Sequence, residues 1–128
     1  MSKYGILGWP LERSYSPIIH TFLFKHASIE GKYELIKTNE INKKNIDLVN
    51  KSFSGYNITI PYKEKILEVC EGAHLDVHVE KIGSVNTVNN KDGITSFYNT
   101  DYLGFLNFLE IINFNPEGRK IMILGSGG

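Results

Sequence analysis

The chain has 128 residues, enough for one domain or for a domain and the opening of a second. Its 14 lysines and arginines balance 14 aspartates and glutamates without a basic run or stripe, which argues against nucleic acid as a partner. No stretch is apolar over the length of a bilayer span, and the opening MSKY leads into a strand pattern rather than a leader, so a cytoplasmic protein with no membrane partner is expected.

Residues 3–8 (KYGILG) read as a first buried strand, closed by Gly8-Trp9-Pro10. Further on, Ser16-Pro17 reads as an N-cap followed by a proline at the first helical position. The helix behind it gathers Ile19, Leu23 and Ala27 on one side, with Ile18 and Phe22 close by. Ser14 and Ser16, just ahead of unpaired helix N–H groups, could seat a carboxylate or phosphate. Capping and turn-shaping are nevertheless the commoner work of such serines.

Residues 33–37 (YELIK) read as a second strand and residues 39–50 as a weakly amphipathic helix with Ile46 and Val49 facing in. In the next strand Ile58 and Ile60 alternate with Asn57 and Thr59, so one face is apolar and the other carries hydrogen-bonding groups. Pro61 ends that strand and suits the first turn of a helix running to about Cys70, with Ile66, Leu67 and Cys70 inward. Thr59 and Lys63 therefore stand at a strand's C-terminal end, where open α/β sheets bind ligands. A lysine there can both bind and move protons, although a solvated lysine is the plainer reading. Cys70, the single cysteine, excludes an internal disulfide, fits a reducing cytosol and reads as a buried thiol rather than a nucleophile.

Residues 73–81 are ambiguous. Leu75, Val77 and Val79 alternate as in a strand, whereas His74 and His78 have the spacing that stacks side chains on a helix. Without a third ligand the histidines do not read as a zinc site. Residues 84–88 and 94–98 read as two strands joined by Asn90-Lys91-Asp92-Gly93, a strong hairpin turn signal. Asn99-Thr100-Asp101 then leads a helix to about residue 113, where Asp101 complements the helix dipole. Residues 113–118 have the composition of a linker, and residues 120–124 (KIMIL) read as a buried strand. Gly125-Ser126-Gly127-Gly128 then begin a dinucleotide-binding turn, without the helix that should receive the pyrophosphate.

These pieces resemble shikimate dehydrogenases over essentially the whole chain. Gly8-Trp9-Pro10 with Ser14, Ser16, Pro17 and His20 is similar to the family's N-terminal signature, and Asn57-x-Thr59-x-Pro61-x-Lys63 to its N-V-T-x-P-x-K element. Gly83-Ser84-Val85-Asn86-Thr87 resembles G-A-V-N-T, and Asn99-Thr100-Asp101-x-x-Gly104 resembles N-T-D-x-x-G. Arg13 and Thr21 depart from the usual histidine and asparagine, neither at a catalytic position.

The resemblance implies an α/β fold: a three-layer sandwich with a mixed, mostly parallel sheet (one antiparallel strand) flanked by helices. It implies a substrate domain over residues 1–113, with residues 114–128 as linker, first strand and glycine turn of an NADP-binding domain. On this basis residues 73–81 lean towards helix. Ser14 and Ser16 are expected to bind the substrate carboxylate, and Thr59, Asn86 and Asp101 the ring hydroxyls. Lys63 and Asp101 are expected to be the catalytic pair, also touching substrate, and Gly125, Ser126, Gly127 and Gly128 to face NADP. The implied reaction is the reversible reduction of 3-dehydroshikimate to shikimate by NADPH, in the shikimate pathway to aromatic amino acids. A chain with only the start of the cofactor domain is expected to be inactive alone. A quinate/shikimate enzyme using NAD and a non-catalytic module for small carboxylates stay open as alternatives, as does assembly into a homodimer. The paired serines argue against a folate-acting sibling.

Overall fold

The computed structural model describes residues 1–125. Among them six strands form one sheet: β1 (Ser2–Gly8), β2 (Gly31–Lys37), β3 (Gly55–Ile58), β4 (His74–Leu75), β5 (Thr87–Lys91) and β6 (Ile94–Tyr98), in the order β2-β1-β3-β5-β6-β4. β1 runs parallel to β2 and β3, and β4 parallel to β6, while β5 is antiparallel to both its neighbours. One reversed strand in an otherwise parallel sheet is the expected arrangement. The helices are α1 (Ser16–His26), α2 (Lys43–Ser52), α3 (Ile66–Val69), α4 (Val77–Ile82) and α5 (Thr100–Ile111). No helix among the described residues is long and apolar enough to cross a membrane.

Strand alternation decides where the core lies. Leu7, Tyr56, Ile58, Val88 and Phe97 are buried in one cluster, closed over by Ile46 of α2, Ile66 of α3 and Val79 of α4. Each such side chain stabilises the fold by roughly 1.5–3 kcal/mol on burial. The opposite face follows from the register: Tyr4 pairs with Tyr33 and Gly55, and Asn57 pairs with Thr87. There α1 lies over the sheet, with Phe24 tilted on Tyr4 (ring centroids 5.1 Å apart) and His20 stacked on Tyr33 (4.0 Å). This second face is aromatic over β1 and β2 and polar over β3 and β5.

Several elements differ from expectation, for reasons visible in the backbone hydrogen bonds. No helix starts at Pro61: the Ile60–Pro61 peptide is cis, residues 60–65 are largely turns, and α3 begins only at Ile66. The Lys63 carbonyl accepts from Val85 N (2.8 Å), so it is not left to pair along a helix. Ile60 is exposed rather than part of the apolar face. Val85 and Asn86 donate to Lys63 O and Tyr98 O instead of extending a strand, and β5 starts at Thr87. Residues 73–81 satisfy both patterns in turn, β4 followed by α4, with the Asp76 carboxylate accepting from His78 N (2.8 Å) at the helix start. His74 and His78 thus fall on different elements.

Residues 120–124 are the clearest correction. They form no strand, and Met122, Ile123 and Leu124 are exposed. Strand pairing and burial both need neighbours, and no neighbouring strand lies beside this segment among the described residues.

Candidate functional site

The C-terminal ends of β1, β3 and β6 and the start of β5 share one edge of the sheet. Each residue expected to touch substrate sits on a segment leaving or entering that edge. Ser14 and Ser16 follow β1, Thr59 and Lys63 follow β3, Asn86 immediately precedes β5, and Asp101 lies in the first turn of α5 after β6. Gly8 lets two of these segments close: a Cβ there would stand 2.5 Å from Thr59 Cγ2, so any larger residue would force Thr59 to shift.

Lys63 and Asp101 meet across that edge. The Lys63 ammonium donates to Asp101 Oδ2 at 2.7 Å, with the lysine side chain 22% exposed and the aspartate 60%. Exposure of this degree limits the pair's contribution to stability, so its consequence is geometric: the ammonium is aimed. α5 is fixed at its start by Asn99, whose Oδ1 accepts from Tyr102 N (3.0 Å) and whose Nδ2 donates to Ser84 O (2.9 Å). Asp101 also sits where the helix dipole favours negative charge.

Asn86 is buried and heavily engaged. Its Oδ1 accepts from Thr100 N (2.8 Å) and Thr87 Oγ1 (3.0 Å), and its Nδ2 donates to Thr100 Oγ1 (2.8 Å). One amide hydrogen is left for another acceptor. At the serine seat, Ser14 Oγ accepts from Ser16 N (3.2 Å). The expected side-chain cap from Ser16 does not form, because the residue at the helix start is Tyr15, whose helical backbone carries α1 back by one position. The Ser16 hydroxyl, freed from capping, lies near the Tyr33 phenol. Burial pushes the Tyr33 pKa up to about 12, partly offset by the nearby Ser16 hydroxyl.

Residues 6–88 match the family model described as shikimate dehydrogenase substrate binding domain. The chain belongs to this family. It is 40% identical to a shikimate dehydrogenase (NADP(+)) of Clostridium perfringens, an alignment covering all of this chain and 47% of that protein. A chorismate mutase/shikimate 5-dehydrogenase fusion protein from Clostridium acetobutylicum superposes with a TM-score of 0.87 at 33% identity, over 100% of this chain and 47% of that one. Shikimate 5-dehydrogenase from Thermus thermophilus, solved with NADP(H) and shikimate, superposes with a TM-score of 0.78 at 32% identity, over 90% and 44%. The chain spans about half the length of the relatives it matches.

The family match contains Ser14, Ser16, Thr59, Lys63 and Asn86, whereas Asp101 lies beyond it. Asp101 is joined to the set by its contact with Lys63. Sequence reading overlooked Asn57, Thr87, Thr100 and Tyr33, which the structure links to Asn86. Asn57 and Thr100 lie inside recognisable motifs, but nothing local to Tyr33 signals a partner 24 residues away. The expected NADP turn is a different case. Gly125 has φ 97°, a conformation suited to glycine, but the strand that should lead into it is absent, and Ser126, Gly127 and Gly128 lie outside the described residues. The described residues do not make a dinucleotide site.

Proposed function

We propose that residues 1–113 are the substrate-holding domain of a cytoplasmic NADP-dependent shikimate dehydrogenase, with residues 114–128 leading into its cofactor domain. The observation that carries this reading is the 2.7 Å contact between Lys63 and Asp101 at the sheet edge that also bears the paired serines. It combines an anion seat, hydroxyl partners and an aimed proton donor.

In this reading Ser14 and Ser16 hold the substrate carboxylate, and Thr59, Asn86 and Asp101 hold ring hydroxyls. NADPH, bound outside the described residues, supplies the hydride. This chain supplies the proton: as negative charge gathers on the C3 oxygen, the Lys63 ammonium stabilises it and gives up one N–H. In the reverse direction neutral Lys63 takes the C3 hydroxyl proton. Asp101 keeps the lysine against that oxygen in both directions. Such acid–base assistance is typically worth about 10²–10⁴-fold in rate.

The test is NADPH absorbance with 3-dehydroshikimate and the intact gene product, with shikimate against quinate and NADP against NAD run in reverse. Lys63→Ala is expected to lower kcat by about 100-fold or more with KM little changed. Normal turnover by that variant overturns the role given to Lys63, and a wild-type protein inert to every pair overturns the enzymatic reading.

A further inference from the structure

Between the serine seat and the catalytic pair lies a run of side-chain hydrogen bonds, from Tyr33 to Thr100, whose directions can be worked out. Asn57 Nδ2 faces the Asn86 backbone carbonyl (3.3 Å) and Thr87 Oγ1 (3.2 Å). A carbonyl only accepts, so this fixes the Asn57 amide, and its Oδ1 must then receive the Tyr33 O–H at 2.6 Å. At the other end the Thr100 backbone N–H can only donate, so Asn86 Oδ1 faces it at 2.8 Å. Asn86 Nδ2 therefore donates to Thr100 Oγ1 (2.8 Å), and Thr87, already accepting from Asn57, donates to Asn86 Oδ1 (3.0 Å). The donors run one way, from Tyr33 through Asn57, Thr87 and Asn86 to Thr100, next to Asp101.

Tyr33 also reaches the serine seat. Its ring is stacked at 4.0 Å under His20, whose Nδ1 stands 2.9 Å from the Ser16 carbonyl and must carry the proton that bond needs. Tyr33 is buried on β2, two strands from Asn57, and its phenol crosses β1 to get there.

We propose that Tyr33 is a positioning residue that ties the Ser14–Ser16 seat to the Asn57–Thr87–Asn86–Thr100 arm. It thereby sets how carboxylate and ring hydroxyls are held relative to Lys63 and Asp101. The inference rests on the shikimate dehydrogenase reading. Tyr33→Phe keeps the ring stacked on His20 and removes the phenol oxygen, with its donation to Asn57 and its place beside the Ser16 hydroxyl. Losing one neutral hydrogen bond corresponds to about a fivefold effect on affinity.

The experiment is a double-mutant cycle on the intact enzyme with Tyr33→Phe and Thr87→Val. Tyr33→Phe is expected to raise KM for shikimate about five- to tenfold while kcat and the melting temperature stay close to wild type. The double variant is expected to raise KM no further than the worse single variant, because among the described residues Tyr33 and Thr87 are linked by hydrogen bonds only through Asn57. An unchanged KM in Tyr33→Phe, or two increases that simply multiply, overturns the proposal. Should Tyr33→Phe fail to fold, Asn57→Asp reads the same link: a carboxylate can accept from Tyr33 but cannot donate to Thr87. An unchanged KM there is equally fatal. If wild type turns over shikimate and the variants match it, only this inference falls; if wild type is inert, the enzymatic reading falls and takes this one with it.

Discussion

Ser84 and Asn86 stand two residues apart on one buried segment and show opposite fates for a polar side chain. Asn86 is engaged on both sides of its amide, whereas the Ser84 hydroxyl has no hydrogen-bond partner among the described residues. Ser84 serves through its backbone, where its carbonyl accepts from Asn99 Nδ2 and so anchors the start of α5. A buried hydroxyl without a partner keeps its desolvation penalty and returns nothing. Ser84→Ala should therefore raise stability by roughly 1 kcal/mol. In urea this appears as a higher midpoint at unchanged slope, with unchanged kcat. A lower midpoint would show that the hydroxyl has a partner after all. Ser14, Ser16 and Lys63 could be singled out from the sequence because each sits in a motif with its own local chemistry. The Tyr33–Asn57 contact could not, because it forms between β2 and β3, across β1.

Elements were legible where local chemistry alone decides them. The β5–β6 hairpin is an example: Asp92 and Gly93 have φ 53° and 78°, the left-handed pair that a two-residue turn between twisted strands requires. The helix at Asn42 is another, since a reciprocal capping box with Asn45 fixes its start, one turn later than periodicity alone indicated. What misled was any segment whose partners are remote. The Lys63 carbonyl is taken by Val85 and the Asn86 N–H by Tyr98, contacts that no window of neighbouring residues reveals. The hairpin gives the test at this scale. A Cβ at Gly93 meets nothing within 4 Å, so Gly93→Ala is penalised for its backbone conformation and not for crowding. It should lower stability by about 1 kcal/mol. Because this turn lies at the sheet edge away from Lys63 and Asp101, KM for shikimate should hold. A raised KM with normal stability would mean that the two edges are coupled.

At the scale of the whole molecule the two faces of the sheet are unequal. One is sealed by α2, α3 and α4 around Leu7, Ile58 and Phe97, while α1 and α5 bury no side chain completely. Phe22 and Ile18 of α1 and Phe105, Phe108 and Ile111 of α5 are all more than half exposed. Apolar surface on this scale is rare on a monomer that stays soluble by itself. A polypeptide of residues 1–128 should therefore have a formed sheet, with hydrogen-exchange protection strongest in β1, β3 and β5, yet bind a hydrophobic dye and self-associate as concentration rises. It should also bind shikimate weakly, since the Lys63–Asp101 contact and the serine seat lie within it, and oxidise no NADPH, since its described residues make no dinucleotide site. Calorimetry with shikimate, dye fluorescence and the absorbance assay examine the three parts separately. Dehydroshikimate-dependent loss of NADPH absorbance from this polypeptide would overturn the proposal that the cofactor is held outside residues 1–125. A dye-silent monomer would show that the apolar side chains of α1 and α5 are shielded within residues 1–128.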